Sequence, residues 1–327
     1  MAEVIAMSEA TDATAGDLTR GDGDREYDAV VVGGGAAGLS AALVLARARR
    51  RVAVVDGGEP RNAPAAHLQG FLSRDGTPPA ALLAVGRAEL QGYGVELTSG
   101  RVARIDPGFT VTLSGGRVLT ARQIVVATGL RDELPELPGV RERWGRDVLH
   151  CPHCHGYEVR DRPLGVLGTQ PGSVEQALLI RQWSPDLVFF PHALDLADEQ
   201  RARLAARGVR VAEGAVSRLV VAEDRLHGVE LASGEVVPRE AVFLAARMVP
   251  QDDLLTRLGC VRGEDGWVAT DAAGRTEVPG VWAVGNVTDP RAQVIVAAGR
   301  GATAAMALNQ DLVTEDTARA LALARAE

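Results

Sequence analysis

The sequence predicts an α/β protein with two dinucleotide-binding (Rossmann-like) domains, the second inserted into the first. Three observations lead to this fold class. An apolar strand runs into a Gly-x-Gly-x-x-Gly turn and a helical segment over residues 27–50. A weaker strand–turn–helix follows at 162–183, and a last strand with a helical run lies at 280–310. The chain has 327 residues, which is enough for one domain inserted into another.

The composition is that of a globular protein and excludes several kinds of partner. The chain is 46% hydrophobic and 24% charged, and no apolar run approaches the length needed to cross a bilayer. A net charge of -8 argues against nucleic acid, because phosphate binding requires a basic surface. The sequence contains no lysine, which excludes a catalytic lysine. We therefore expect neither a membrane nor a nucleic-acid partner.

The N-terminal residues and the cysteine content point to the cytoplasm. Residues 1–26 are acidic and rich in small side chains, so we expect a disordered tail rather than a secretion signal. Three cysteines in a chain of this size do not make a disulfide framework. The expectation is a cytoplasmic protein with one reactive cysteine pair.

The first glycine turn has the spacing of a phosphate-binding loop. In "YDAVVVGGGAAG" (27–38), Gly33 permits the tight turn, Gly35 lets the backbone approach a pyrophosphate, and Gly38 lets the helix pack against the strand. The helix N-terminus then offers unpaired N–H groups to the phosphates. The next strand, "RVAVVD", ends in Asp56, whose carboxylate suits ribose hydroxyls and repels a 2′-phosphate. Together these elements predict a dinucleotide site.

Two later stretches complete the first domain. The apolar strand "QIVVATG" (123–129) ends in Ala127, Thr128 and Gly129. The strand in "GVWAVGNVTDP" (280–290) ends in Gly285 and Asn286, and a helical run follows.

The order of these motifs resembles that of flavoproteins with two dinucleotide-binding domains, and within them the low-molecular-weight thioredoxin-reductase-like group, over residues 27–312. The resemblance implies FAD as the cofactor and a homodimer. It also implies an FAD-binding domain in two parts, 27–136 and 249–327. The inserted NAD(P)H-binding-like domain, 137–248, would carry a Cys-x-x-Cys motif.

The resemblance assigns FAD contacts position by position. Asn286 stands where the group usually has aspartate, but asparagine can still bond a hydroxyl. The implied contacts are Gly33, Gly35, Ala36, Ala37 and Gly38 at the pyrophosphate, Asp56 and Gly57 at the adenosine ribose, Val102 at the adenine, Arg61 and Asn62 in a loop over the isoalloxazine, Ala127, Thr128 and Gly129 along the cofactor, Gly285 and Asn286 at the ribityl chain, and Gln293 and Val294 at the pyrimidine edge.

The inserted domain lacks features that a nicotinamide nucleotide needs. Gly168 takes the first glycine position of its turn, but Gln170 stands at the second, where any Cβ blocks the approach of a pyrophosphate. Pro171 removes a further N–H donor. The next strand, in "DLVFFPHALDLADE", is not followed by the arginines that bind the 2′-phosphate of NADPH. We expect nicotinamide binding to be lost, although NADH needs no arginine cluster.

The stretch "HCPHCHGYE" (150–158) is compatible with a metal site or a redox pair. Structural zinc needs four ligands, and the third cysteine, Cys260, is far along the chain and is most simply a small buried residue. Cys151 and Cys154 can instead close a disulfide at a helix start, where the helix dipole and a nearby imidazolium favour thiolate. The redox interpretation is favoured, and no metal is predicted.

The flanking histidines resemble those of flavin-dependent dithiol oxidases, which close disulfides in small natural products such as holomycin, gliotoxin and romidepsin. The resemblance implies that Cys154 faces the flavin and that Cys151 exchanges with the substrate. His155 replaces the acidic proton donor of thioredoxin reductases, and His150 is the candidate base. Asp289 would orient or charge His150, unless it only caps the following helix.

These expectations combine into one predicted function with three rivals. The protein would be an FAD-dependent oxidase that forms a disulfide in a small-molecule dithiol, with O2 as acceptor and H2O2 as product. The first rival is an NAD(P)H-dependent disulfide reductase that runs in the opposite direction. The others are a ferredoxin-fed reductase and a flavin-bound redox sensor without turnover.

Overall fold

The computed structural model of the chain describes residues 26–326. The strands are β1 (Tyr27–Val32), β2 (Val52–Asp56), β3 (Glu96–Ser99), β4 (Val102–Asp106), β5 (Thr110–Leu113), β6 (Val118–Val126), β7 (Leu130–Glu133), β8 (Val148–Leu149), β9 (Leu164–Leu167), β10 (Leu187–Phe190), β11 (Arg210–Val211), β12 (Val216–Ala222), β13 (Arg225–Leu231), β14 (Val236–Pro238), β15 (Ala241–Leu244), β16 (Arg247–Pro250) and β17 (Val281–Ala283). The helices are α1 (Ala36–Arg47), α2 (Pro79–Gly92), α3 (Val140–Arg143), α4 (Pro152–His155), α5 (Ser173–Ile180), α6 (Asp198–Ala206), α7 (Asp253–Arg257) and α8 (Val294–Ala324), and a 3-10 turn spans Gly285–Val287.

The first sheet has the order β3-β2-β1-β6-β5-β4, with β17 also paired to β6. β1 is parallel to β2 and β6, and β17 is parallel to β6. Val31 and Val54 pack in the core shared with α1 and α8, whereas Val30 and Ile124 pack in the core on the other face. Burial on both faces explains the unbroken apolar runs in these strands. The carboxyl ends of β1, β2 and β17 meet at one edge, where the first glycine turn lies.

The second sheet contains five parallel strands in the order β11-β10-β9-β15-β8. α5 and α6 cover one face through Val174 and Leu204, and the antiparallel sheet β12-β13-β14 covers the other through Val229. The cysteine motif follows β8 directly. It therefore lies at the carboxyl edge of this sheet, beside the end of β15.

A ribbon of two antiparallel strands, β7 and β16, lies where the chain passes from the first sheet to the second and back. The predicted α/β class with two nucleotide-binding-type sheets is confirmed. The tail predicted for residues 1–26 lies outside the described residues except for its last position. Within residues 26–326, no helix combines the length and the apolar character that a membrane crossing requires.

Candidate functional site

The cysteine pair forms a disulfide at the carboxyl edge of the second sheet. Cys151 directly precedes the single turn of α4, Cys154 lies within it, and their Cα atoms are 5.3 Å apart. Pro152 occupies the first helical position, where its fixed φ favours the turn. The N–H groups of Cys154 and His155 lie 3.2 Å from the Cys151 carbonyl oxygen. Both cysteines are partly exposed, so a thiol from solution can reach the disulfide.

The ring of His150 has a defined orientation. β8 and β15 pair in parallel up to Leu149 and Phe243, so the next residues, His150 and Leu244, lie side by side. His150 Nδ1 is 3.2 Å from the Leu244 carbonyl oxygen. A carbonyl only accepts hydrogen bonds, so in the neutral ring Nδ1 carries the proton and Nε2 has the free lone pair. His150 can therefore accept a proton at Nε2.

Partial burial lowers the pKa of His150 and His155, which are both half-buried. For His150, the Arg61 guanidinium lowers the pKa further, and the Asp132 carboxylate opposes this shift without reversing it. For His155, burial outweighs the opposing Glu158 carboxylate. Both rings are therefore neutral at pH 7 and able to accept a proton. The nearby imidazolium that the sequence suggests stays a prediction, and the lowered pKa values of His150 and His155 do not favour it.

The other sulfur and imidazole groups lie apart from this chemistry. His153 is exposed, and its ring packs edge-on against Trp183 with centroids 5.5 Å apart. Cys260 is 5% exposed and lies in a hydrophobic core of the first sheet, as predicted. Across residues 26–326, His, Cys, Asp and Glu side chains form no group of three or more that could hold a metal ion.

The structure does not bring Asp289 to His150. Asp289 Oδ2 is 2.8 Å from Arg300 Nη1. Asp289 precedes α8 and Arg300 lies in its second turn, so the ion pair forms beside the start of this helix. The charged groups that shift the pKa of His150 are Arg61 and Asp132. The pairing of Asp289 with His150 stays a prediction, and Arg300 would share the same carboxylate.

Arg61 belongs to the loop expected over the isoalloxazine, and it is held by an ion pair. Its Nε and Nη2 atoms lie 2.8 and 2.7 Å from the two carboxylate oxygens of Asp132 on β7. The Asp132 side chain is 8% exposed, so this pair is shielded from water. Asn62, the neighbour of Arg61, accepts the Ala65 N–H at its carbonyl oxygen and begins a tight turn. Both hydrogen bonds hold the Arg61 guanidinium against Asp132, close enough to His150 to lower the pKa of that ring.

The same loop joins the first sheet to the cysteine segment. A Cβ on Gly145, five residues before the motif, would come within 2.8 Å of Pro64 Cβ. Gln69 Nε2 donates to Glu158 Oε1 at 3.1 Å. Gly70 then lies beside the side chain of Gln293, the residue that precedes α8. The loop, the disulfide segment and the start of α8 therefore meet in one place.

The first glycine turn has the shape that a pyrophosphate requires. A Cβ on Gly33 (φ +111°) would come within 2.3 Å of the Ala127 carbonyl oxygen, and one on Gly38 within 1.9 Å of the Gly33 oxygen. The fold itself needs these two glycines. A Cβ on Gly35 would meet no atom of the chain within 4 Å, so the space above it is open. Because α1 begins at Ala36, its free N–H groups border this space.

A cavity of about 340 Å³ opens beside this turn and includes Asp56, Gly57, Gly58 and Arg87 in its lining. Burial alone would raise the pKa of Asp56, but hydrogen bonds from Arg87 and the Gly58 N–H outweigh burial and lower the pKa. Arg87 Nη2 lies 2.8 Å from Asp56 Oδ2. Sequence reasoning missed Arg87, since it lies on α2, 31 positions from Asp56, with no local pattern to mark it. The predicted adenine neighbour Val102 starts β4 and is not part of the lining.

The remaining predicted FAD contacts lie at the ends of β6 and β17. Thr128 Oγ1 donates to the Gln251 carbonyl oxygen at 2.6 Å, and Gly129 follows with a positive φ of 71°. Gly285 (φ +79°) brings the end of β17 against α1. Gln293 and Val294 are the residues at which α8 begins.

Asn286 has a structural reason to replace the usual aspartate. Its Nδ2 donates to the carbonyl oxygens of Asp289 and Ala292 at 2.8 and 3.0 Å. A carboxylate cannot donate to either oxygen. Asn286 therefore fastens the segment that leads into α8. With the open space at Gly35 and the adjoining cavity, the residues present fit FAD.

Two alanine substitutions separate the glycines that serve the fold from the one that serves the ligand. Gly35→Ala will leave the unfolding free energy of the FAD-free protein within about 0.5 kcal/mol, because Gly35 has an extended backbone and open space. It will weaken FAD binding at least about tenfold, because the backbone can no longer approach the pyrophosphate. Gly38→Ala will cost about 1–3 kcal/mol of stability. Denaturant unfolding and fluorescence titration with FAD measure both; undiminished FAD binding by Gly35→Ala would contradict the assignment.

In the second sheet, the hydroxyl of Ser173 occupies the N–H donors of the turn after β9, and we call this turn closed for that reason. The N–H groups of Thr169 and Gln170 both donate to Ser173 Oγ, at 3.3 and 3.2 Å, and Ser173 is fully buried. In a dinucleotide site, N–H groups of this turn face the pyrophosphate. A Cβ on Gly168 would come within 2.5 Å of the Pro191 carbonyl oxygen, so this glycine serves the close approach of β9 and β10. The turn thus has the form of a nucleotide loop while its donors are already used.

The end of β10 offers no phosphate site either. Pro191 and His192 follow the strand, and residues 187–197 contain no arginine. His192 has a positive φ of 57°, and its Nδ1 accepts the Val216 N–H at 3.0 Å. The imidazole therefore closes the loop against β12 rather than facing a ligand.

Known proteins resemble the chain over most of its length. The family model described as pyridine nucleotide-disulphide oxidoreductase matches residues 27–305. Thioredoxin reductase sirT of Leptosphaeria maculans is 31% identical over 314 residues, which cover 89% of this chain and 96% of that protein. The crystal structure of HlmI is 62% identical, covers 92% of this chain and 96% of its own, and has a TM-score of 0.90. Thioredoxin reductase from Streptococcus pyogenes is 25% identical over 88% of this chain and 99% of its own, with a TM-score of 0.80.

These matches agree with the glycine turn that fits FAD and with the disulfide at the edge of the second sheet. The enzyme is a thiol–disulfide oxidoreductase of the thioredoxin-reductase type, and FAD is its cofactor. The chain belongs to the pyridine nucleotide-disulphide oxidoreductase family.

Proposed function

We propose that the enzyme is a dithiol oxidase, which closes an intramolecular disulfide in a small-molecule dithiol and passes the electrons to oxygen. The observation that carries the proposal is the closed turn after β9, where Ser173 takes the N–H donors of Thr169 and Gln170. Without a nicotinamide as reductant, the electrons enter through the disulfide. The resemblance of the motif "HCPHCHGYE" to dithiol oxidases supports the same direction.

In the proposed reaction, His150 and His155 receive the substrate protons. His150 Nε2 takes the proton of the first thiol, and the resulting thiolate attacks the sulfur of Cys151. The Cys151–Cys154 bond breaks, and Cys154 leaves as a thiolate. His155 takes the proton of the second thiol, whose thiolate attacks the substrate sulfur bound to Cys151. This step releases the cyclic disulfide and the Cys151 thiolate, so two electrons have moved to the cysteine pair.

The cofactor completes the cycle from the edge of the first sheet. The glycine turn at Gly33, Gly35 and Gly38 would hold the pyrophosphate, and Gln293 would lie near the flavin. When bound there, FAD would supply a two-electron acceptor for the reduced Cys151 and Cys154, with oxygen as the final acceptor and hydrogen peroxide as the product. Residues 27–136 and 249–327 would thus bind the cofactor, while residues 137–248 present the disulfide. We further propose that the enzyme works as a homodimer in the cytoplasm, which sedimentation and fractionation can test.

An anaerobic absorbance experiment tests the proposal. The yellow protein is mixed with excess NADPH, then NADH, then dithiothreitol, and the flavin absorbance is followed near its visible maximum. We expect both nicotinamides to leave the flavin oxidised and dithiothreitol to bleach it. Air should then restore the colour and yield hydrogen peroxide in an amount equal to the dithiol consumed.

The controls define what would contradict the proposal. Dithionite must bleach the flavin in every sample, which shows that the cofactor is reducible. Rapid bleaching by either nicotinamide would mean that the closed turn still admits the nucleotide, and that the enzyme is an NAD(P)H-dependent disulfide reductase. Slow or absent bleaching by dithiothreitol would contradict electron entry through the disulfide.

A further inference from the structure

Helix α5 contacts the backbone of His150, and the turn after β9 contacts the backbone next to Leu244, the partner of the His150 ring. Gln176 Nε2, on α5, donates to the His150 carbonyl oxygen at 2.8 Å. The Leu244 carbonyl oxygen lies 3.2 Å from His150 Nδ1. Thr169 Oγ1, in the turn, donates to the carbonyl oxygen of Ala245, the residue after Leu244, at 2.8 Å. Both the backbone and the ring of His150 are therefore tied to this part of the second sheet.

Ser173 makes the same turn rigid from within. Its Oγ accepts the N–H groups of Thr169 and Gln170, and its own N–H donates to the Gln170 carbonyl oxygen at 2.9 Å. Because Ser173 is fully buried, water does not compete for these hydrogen bonds. The hydroxyl of Thr169 is thereby held where it reaches Ala245.

We propose that Thr169, Ser173 and Gln176 are positioning residues for His150, so that the second Rossmann-like turn supports the general base instead of binding a nucleotide. The inference rests on the proposed function, in which His150 accepts the proton of the substrate thiol. Anchoring of Nδ1–H selects the tautomer with a free Nε2 and aims that lone pair at the incoming thiol. A base that lies about 1 Å from its place can lose up to ~100-fold in rate.

The charged and titratable groups that face His150 are Arg61, Asp132 and His155. None of them contacts Thr169 or Gln176 in a described hydrogen bond or ion pair. Substitutions in the turn therefore change the position of the ring while the surrounding charges stay in place.

The test compares isosteric pairs in the FAD-loaded enzyme. Thr169→Val removes only the hydroxyl and Thr169→Ser retains it; Gln176→Leu removes the amide, and Gln182→Leu at an exposed position is its control. The anaerobic rate of flavin bleaching by dithiothreitol is measured from pH 6 to pH 10. We expect Thr169→Val and Gln176→Leu to lose about tenfold at pH 7, and Thr169→Ser and Gln182→Leu to stay within about twofold of the unmodified enzyme.

The pH profile separates positioning from general damage. Above about pH 9 the thiols of dithiothreitol ionise without a base, so the loss in Thr169→Val and Gln176→Leu should disappear. A loss that is equal at every pH would overturn the inference. Nitrogen NMR of the unmodified enzyme offers a second check, because a His150 ring protonated at Nε2 rather than Nδ1 would also overturn it.

A His150→Gln enzyme distinguishes a failure of the positioning inference from a failure of the proposed mechanism. If this enzyme is slow while Thr169→Val and Gln176→Leu match the unmodified protein, the base stands and the positioning role is wrong. If His150→Gln is as fast as the unmodified enzyme, the proposed mechanism itself fails, and the positioning inference fails with it.

Discussion

The Cys154→Ser enzyme will lose dithiol oxidation by at least about a thousandfold while it retains its fold and FAD. A serine hydroxyl cannot form the bond to Cys151, so the substrate thiolate finds no disulfide to attack and no sulfur leaves. Oxygen uptake in the presence of dithiothreitol measures the loss, and the flavin spectrum reports cofactor retention. The matched control is Cys260→Ser, whose side chain lies in a hydrophobic core of the first sheet.

A comparison of Cys154→Ser with Cys151→Ser assigns the roles of the two sulfurs. Cys154→Ser leaves Cys151 as a free thiol that should form a mixed disulfide with the small disulfide cystamine, visible by intact mass. Cys151→Ser should give little adduct, because Cys154 is expected to face the flavin. An active Cys154→Ser enzyme, or an equal loss in Cys260→Ser, would contradict the redox role of the pair.

Replacing His150 by glutamine will lower the rate of flavin bleaching by dithiothreitol by at least about 100-fold at pH 7. Glutamine can still donate to the Leu244 carbonyl oxygen, but it has no lone pair that takes up a proton. The loss of rate therefore reports proton transfer by His150, and not the hydrogen bond to the Leu244 carbonyl oxygen on β15. The exposed His227→Gln on β13 is the control and should match the unmodified enzyme.

The pH dependence has a definite sign. Because burial and Arg61 hold the pKa of His150 below 6.5, the ring is neutral and competent at pH 7. The rate of the unmodified enzyme should fall only when the pH drops below 6.5 and the ring becomes protonated. The His150→Gln rate should instead follow thiol ionisation and rise about tenfold per pH unit up to about pH 9. A flat profile for His150→Gln with a steep one for His155→Gln would move the base to His155.

Much of the first nucleotide site could be predicted, because its requirements are local. Gly38 is needed by a backbone contact within one strand, turn and helix, and Gly35 by the approach of a ligand to that turn. Gly33 has a positive φ, which the tight turn requires, although its Cβ would meet the distant Ala127. The Cys-x-x-Cys spacing likewise permits a disulfide within one helical turn. Gln170 indicated from the sequence that the second turn differs from a nucleotide loop. The role of the Ser173 hydroxyl could not be predicted, because a serine in α5 has no pattern that marks it as a partner of the turn.

The ion-pair partners of two predicted site residues could not be foreseen from the sequence. Asp289, expected to act on His150, pairs with Arg300, and Arg61, expected in the loop over the flavin, pairs with Asp132. The sequence is rich in arginine and does not mark which arginine pairs with a given carboxylate. Only the packing of the loop, β7 and α8 decides which pair forms.

The sequence by itself determined the order of the two Rossmann-like units, the phosphate-binding turn and the cysteine pair, because each depends on residues within a few positions of one another. The tertiary structure decided the chemistry around the disulfide. The partner of His150 Nδ1 lies 94 positions away at Leu244, and the pKa of the ring depends on burial by distant elements. Protonation and orientation are properties of the surroundings in space, and these exist only when the sheets are assembled.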